Sequence, residues 1–246
     1  SRSTTIDGAP ITYMIAFAAA TAVFSFIPIS VAMASGGAFP MSQGINPLVG
    51  IILGPIAGAI TSLIGTSVGV ILAPHTAGIP ALTLMGATVS SFIAGCFVRK
   101  GPRAWWFVPV ALYSIINYIF YAGRAVFQNG VEPWIAIVAS IISWSSLLIF
   151  ILPTRRFVAK FLTSENITRL SIGFFLVSWT ASSLGTLSQA VIAYWMLNWP
   201  EEVWIFFIPV LPYEAAVRSI VGVVIGAGIV TGMRSTGMMK PRNALY

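Results

Sequence analysis

Glu214 and Arg218 stand four residues apart in an otherwise apolar stretch, so on a helix they share one face and can pair. Ionisable groups in apolar surroundings are costly. They mark either a structural clamp between helices or a contact for a charged group of a substrate or partner. Tyr113, Asn117 and Tyr121 form a second constellation, again at four-residue spacing, that ends near Arg124 and Gln128. Two aromatic faces and one amide, opposite Ser143 and Trp144 of the following segment, suit a flat heteroaromatic ligand. Tyr121 serves equally well as a belt residue at a membrane surface, the role that Trp134, Trp199 and Trp204 suggest for themselves. The stretch 35–43 (SGGAFPMSQ) is glycine-rich. It is either a plain connector or a movable loop whose Phe39 and Met41 close over a pocket.

Other chemistries have no residues to carry them. Cys96 is the only cysteine and His75 the only histidine, which excludes intramolecular disulfides, thiolate metal clusters and multi-histidine sites. His75 reads as a solvated or capping residue in a turn. Asn166-Ile167-Thr168 matches a glycosylation sequon but falls among basic residues of a loop expected in the cytoplasm. The chain has no G-x-x-x-x-G-K-[ST] phosphate loop, no H-E-x-x-H and no G-x-S-x-G. Nothing nominates an enzyme, and no cofactor is expected.

The elements that must position these residues are membrane helices. Of 246 residues, 57% are hydrophobic and only 8% charged, against about 25% charged in a soluble domain. Lipid as solvent allows apolar outer faces, so the expected fold class is an all-α polytopic helical bundle. Runs long enough to cross a bilayer, about 20 residues, occupy 11–34, 79–98, 104–123, 133–152 and 170–197. The first run ends at Ala32-Met33-Ala34, which mimics a signal-peptide cleavage site, but 11–34 is read as a retained helix. Two regions are interrupted. Residues 44–73 break at Gly54-Pro55, and 203–233 contain Pro209 and Pro212. The second is expected to split into an aromatic interfacial piece at 203–211 and a final span at 213–233.

Charge decides the first interruption. If 44–73 crosses once, the Arg99–Arg103 loop and the later basic loops fall on the side of the 35–43 loop, opposite the N-terminus. If it enters and returns as two short helices or a re-entrant hairpin, eleven of the thirteen Lys and Arg, with both termini, fall on one side. The positive-inside rule makes that side cytoplasmic and leaves Glu132, Glu201 and Glu202 outside. Six to eight passages result, in a single integral domain over 1–246 placed in the cell (plasma) membrane. The basic clusters close or open apolar runs and are not interleaved with aromatics in a groove, so no nucleic-acid partner is expected. Small residues recur every fourth position at Ala16/Ala20, Ala18/Ala22, Gly50/Gly54/Gly58, Gly65/Gly69 and Gly222/Gly226, where backbones can approach closely. Such stripes pack helices within one chain or, on the first helix, dock another subunit.

The alanine stripe of the first helix, the glycine-rich loop, the segment LVGIILGPIAGAITSLIGTSVGVIL and the small-residue helix GATVSSFIAGCFV resemble the substrate-binding S component of energy-coupling-factor vitamin importers. The resemblance covers 11–162, a six-passage core; 163–246 add two passages and a basic tail. It implies a binder of a vitamin-like small molecule, partnered by a transmembrane coupling subunit and two ATPase subunits. Ala16, Ala18, Ala20 and Ala22 would meet the coupling subunit. The substrate would contact Phe39, Gln43, Asn46, Tyr113, Asn117, Tyr121, Trp144, Glu214 and Arg218. A structural or assembly subunit of a larger membrane complex is the alternative reading, in which small-residue stripes and tryptophan margins are subunit contacts.

Overall fold

The computed structural model describes residues 4–28, 40–97 and 104–246. Phe39 and the cations Arg2, Arg99, Lys100 and Arg103 lie outside the described residues. A short hairpin, β1 (Thr5–Ile6) and β2 (Ala9–Pro10), turns through Asp7 and Gly8, both at positive φ, the pairing that a two-residue turn of this kind demands. The rest is helical: α1 (Ile11–Phe24), α2 (Ser42–Leu53), α3 (Pro55–Leu72), α4 (Pro80–Cys96), α5 (Phe107–Phe127), α6 (Pro133–Ala139), α7 (Ile141–Ile151), α8 (Thr154–Leu162), α9 (Ile167–Leu197) and α10 (Glu201–Ser235).

Local chemistry sets most boundaries. Pro55, Pro80 and Pro133 open α3, α4 and α6, where the amide they lack has no helical partner to lose. Gly54 separates α2 from α3 at φ 90° and ψ 175°, a conformation barred to residues with a Cβ. Asn166 caps α9 by accepting from the amides of Thr168 at 2.9 Å and Arg169 at 3.2 Å, so α9 begins ahead of the apolar run that starts at 170. Asn166→Ala is expected to cost about 1 kcal/mol, read as a drop in the melting temperature of the purified protein in detergent; an unchanged melt would mean that the cap carries no stability.

Four helices are long and apolar enough to cross a membrane: α3, α5 with the turn before it, α9 and α10. The bent pair α6 and α7 makes a fifth if counted as one span, and α1, α2 and α4 are shorter apolar helices. The fold is all-α, and these helices are consistent with an integral membrane protein.

One expectation about spans is corrected. Residues 201–235 form one helix with Pro209 and Pro212 inside it, in place of an interfacial piece and a separate span. In apolar surroundings an unwound stretch would expose many amides that no water can satisfy, so losing the two proline bonds costs less. The expected run 133–152 is present as the pair α6 and α7, bent by 64° at Ser140. Two side chains cover carbonyls at the bend: Ser140 Oγ donates to Ala136 O at 2.6 Å, and Trp144 Nε1 donates to Ile137 O at 3.1 Å.

The helices run between two ends of the bundle. At one end Ser25 Oγ meets Ser42 Oγ at 3.0 Å, Thr76 Oγ1 donates to Ser25 O at 2.9 Å, and Arg124 Nη2 donates to Asn198 Oδ1 at 2.9 Å. At the other end the C-terminal tail docks on the hairpin and on the α2–α3 break. Arg242 N donates to Gly8 O at 3.1 Å, and Leu245 N to Ile51 O at 2.8 Å. This second end holds seven of the nine described Lys and Arg. Small residues bring the backbones together. A Cβ on Gly58 would lie 2.8 Å from Gly50 Cα, and one on Gly65 would lie 2.6 Å from Ala18 O. Through its length α9 packs against α2, α4, α5, α7, α8 and α10, so residues 163–246 run through the bundle.

Candidate functional site

Arg218 is 1% exposed and Glu214 2%. They lie one turn apart on α10, and the guanidinium ties three helices together. Its Nη1 donates to Gln43 Oε1 of α2 and to Thr186 Oγ1 of α9, both at 2.9 Å. Its Nε donates to Glu214 O at 3.2 Å, and Nη2 lies 4.0 Å from Glu214 Oε2. A cavity of about 80 Å³ opens beside this cluster, walled by α2, α4, α5, α9, α10 and the turn at Pro74–Thr76. That is room for several waters or for the head of a small ligand. Its polar lining consists of Gln43, Thr76, Thr83, Thr186, Gln189 and Glu214, and its apolar lining includes Ile79, Leu82, Ala190 and Leu211. Few convergent polar groups on an apolar wall are the usual make-up of a small-molecule pocket.

Aromatic rings line one side of this cavity. Trp199 stacks on Tyr194 at 5.4 Å and meets Phe207 edge-on at 5.2 Å, while Tyr121 lies 4.7 Å from Trp204. Tyr121, Trp199 and Phe207 line the cavity. Trp199 Nε1 is buried without a hydrogen-bond partner among the described residues, so a donor stands beside the space. The Trp199 segment is held from α5. Arg124 covers the Trp195 ring at 4.0 Å, and Asn129 Nδ2 donates to Asn198 Oδ1 at 3.0 Å and to Trp199 O at 3.2 Å.

Of the residues nominated from sequence, Gln43, Tyr121 and Glu214 line the cavity, and Arg218 lies against it, bonded to three lining residues. Asn46 is buried one turn along α2 from Gln43, its Oδ1 without a partner among the described residues. Tyr113, Asn117 and Trp144 are not at this cavity. Tyr113 is 42% exposed, and Asn117 donates back to Tyr113 O at 2.8 Å. Each four-residue step on a helix overshoots a full turn by about 40°, so the stripe slants and only Tyr121 reaches the interior. Trp144 is spent on the Ile137 carbonyl freed at the bend. Phe39 is outside the described residues. The alanines divide. Ala18 and Ala22 face the Gly65 and Gly69 positions of α3, whereas Ala16 is exposed and Ala20 half-buried. His75 is exposed in its turn.

Thr186 and Gln189 were missed by reading for charge and aromatics. Their signal is the dense polar run TASSLGTLSQ inside the apolar α9, where each hydroxyl or amide in a membrane helix needs a reason. Among the described residues no three His, Cys, Asp or Glu come together to hold a metal. Comparison with protein-family models, with curated proteins and with solved structures returned no match.

Proposed function

We propose that this chain is a membrane subunit that captures a small, flat, polar molecule of vitamin-like size for an ATP-driven importer. The observation that carries the reading is the cavity beside Glu214 and Arg218, in which groups from five helices converge. A purely structural clamp needs no lined space at its side. Aromatic walls at Tyr121, Trp199 and Phe207 favour a ring, and Glu214 with Gln43 and Gln189 favours ring nitrogens and amino groups that donate hydrogen bonds. In this reading the chain makes eight passages through the cell membrane. The α2–α3 pair enters and returns, and both termini and the basic end are cytoplasmic. The cavity then opens toward the outside. A transmembrane coupling subunit and ATPases supply the energy, and the exposed Ala16 side of α1 is the face left for such a partner.

A ligand of this site stabilises the fold without ATP, by about 2.7 kcal/mol at a hundred times its dissociation constant. A melting screen of the purified protein across water-soluble vitamins and their heteroaromatic precursors is expected to find at least one stabiliser. Ala190→Phe, which fills the cavity from α9, is expected to abolish that shift while the unliganded melt stays close to that of the unsubstituted protein. A screen with no stabiliser, or a shift that survives Ala190→Phe, argues against capture at this cavity.

A further inference from the structure

At the end of the bundle opposite this cavity, the amphipathic helix α8 and the C-terminal tail border a second, open space of about 1190 Å³. Five cations from two separate elements face it: Arg155, Arg156 and Lys160 of α8, with Lys240 and Arg242 of the tail. Asp7 is the one acidic side chain among the described lining residues. The walls are fixed. The tail is bonded to the hairpin and to α2 through Arg242 N and Leu245 N, Lys240 Nζ lies 4.8 Å over the Tyr246 ring, and Arg155 packs 3.1 Å over the Phe107 ring. Tyr246 OH in turn donates to Met233 Sδ of α10 at 3.6 Å. Folding has therefore gathered like charges and held them there.

That gathering leaves a deficit of negative charge. Burial, and then the neighbouring Arg156, hold the Arg155 guanidinium below its ordinary range; burial, and then Arg234, do the same for Lys240. An anion between them favours the charged form of both. Arginine forks match the oxygens of a phosphate in a way they match no single-atom anion, with lysine adding point charge. Apolar side chains next to lining residues in the chain are also exposed: Phe157, next to Arg156, is 63% exposed, and Trp105, next to Ala104, is exposed too. A phosphate carrying acyl chains could lay them there.

We propose that this basic cavity is a binding site for a phosphate monoanion or diester, supplied either by an anionic phospholipid headgroup or by free phosphate. Neither the small-molecule cavity nor its ligand enters this site. Native mass spectrometry of the full chain in detergent, titrated with dioleoylphosphatidylglycerol, with dioleoylphosphatidylcholine and with inorganic phosphate, reads the occupancy. Phosphatidylglycerol is expected to be retained over phosphatidylcholine, and Lys160→Gln to weaken it about fivefold, as one interfacial cation is worth. Arg169→Gln removes an exposed charge at the same end but outside the cavity, and is expected to leave binding unchanged. Lys160→Arg should restore it, and matched melting temperatures confirm that each variant folds. Displacement by millimolar inorganic phosphate assigns the site to free phosphate; resistance to it assigns the site to lipid. Equal retention of both lipids without phosphate binding, or equal weakening by Lys160→Gln and Arg169→Gln, overturns the proposal, since only diffuse surface charge would then be at work.

Discussion

Replacing Arg218 with methionine is expected to lower the melting temperature in detergent by about 10 °C, the largest effect of any charge-removing exchange in this chain. The guanidinium makes hydrogen bonds to Gln43, Thr186 and the Glu214 carbonyl, yet such bonds between membrane helices average only about 0.6 kcal/mol each. Their loss alone would shift the melt by a few degrees. The greater cost is the Glu214 carboxylate, 2% exposed and deprived of its cation. Breaking a buried pair from one side costs about 3–5 kcal/mol, and each kcal/mol moves the melt of a chain of this size by about 2–4 °C. The two contributions separate in the double variant Glu214→Gln/Arg218→Met, which removes both charges and should recover most of the loss. If the double variant melts as low as Arg218→Met, hydrogen bonding to Gln43 and Thr186 dominates instead. If Arg218→Met melts with the unsubstituted protein, the pair is not a clamp at all.

The sequence makes this pair legible because charge in an apolar run is rare enough to stand out, and the spacing of Glu214 and Arg218 survives any error in helix ends. The break at Gly54-Pro55 is legible for a similar reason, since glycine followed by proline names both the end of one helix and the start of the next. Other features depend on partners that no local pattern announces. Pro209 and Pro212 look like a break, yet α10 runs through them, because the cost of leaving a helix is set by surroundings without water. Ser140 looks unremarkable, yet α6 and α7 bend there, with Trp144 brought back to cover a carbonyl. The cavity shows the same division. Gln43, Tyr121 and Glu214 are distinctive residues, but what makes them one site is α9, which delivers Thr186 and Gln189 from far along the chain. Tyr113 and Asn117 share a helix with Tyr121, and a slant of about 80° over two four-residue steps is enough to turn them away from it. The two alanine stripes of α1 are indistinguishable in sequence. Only the position of α3 decides that Ala18 and Ala22 are covered while Ala16 is left open.

Gly50→Ala is expected to prevent most of the protein from accumulating in folded form. A Cβ at this position would overlap the Ser91 carbonyl oxygen of α4, and on its other side the Gly58 position of α3 already lies against Gly50 Cα. Three backbones meet there with no flexible side chain to give way, so α2 must move bodily off α4. Overfilling a packed core costs about 1–3 kcal/mol even where side chains can adjust, and a backbone obstacle puts this exchange above that range. Because the obstacle is backbone, Ser91→Gly should not rescue it. Movement of α2 also carries Gln43 away from Arg218, so any residual folded protein should lose ligand stabilisation together with stability. Two glycines of α10 supply the contrast. Among the described residues, and apart from their own helix backbone, Gly228 and Gly232 have no atom within 4 Å of an added Cβ, and alanine there should be neutral or stabilising, by up to about 1 kcal/mol, as it restricts the unfolded chain. Size-exclusion yield and melting temperature in detergent test the set. A Gly50→Ala protein that elutes and melts like the unsubstituted chain would show that α2 and α4 do not approach as closely as the Gly50–Ser91 contact requires.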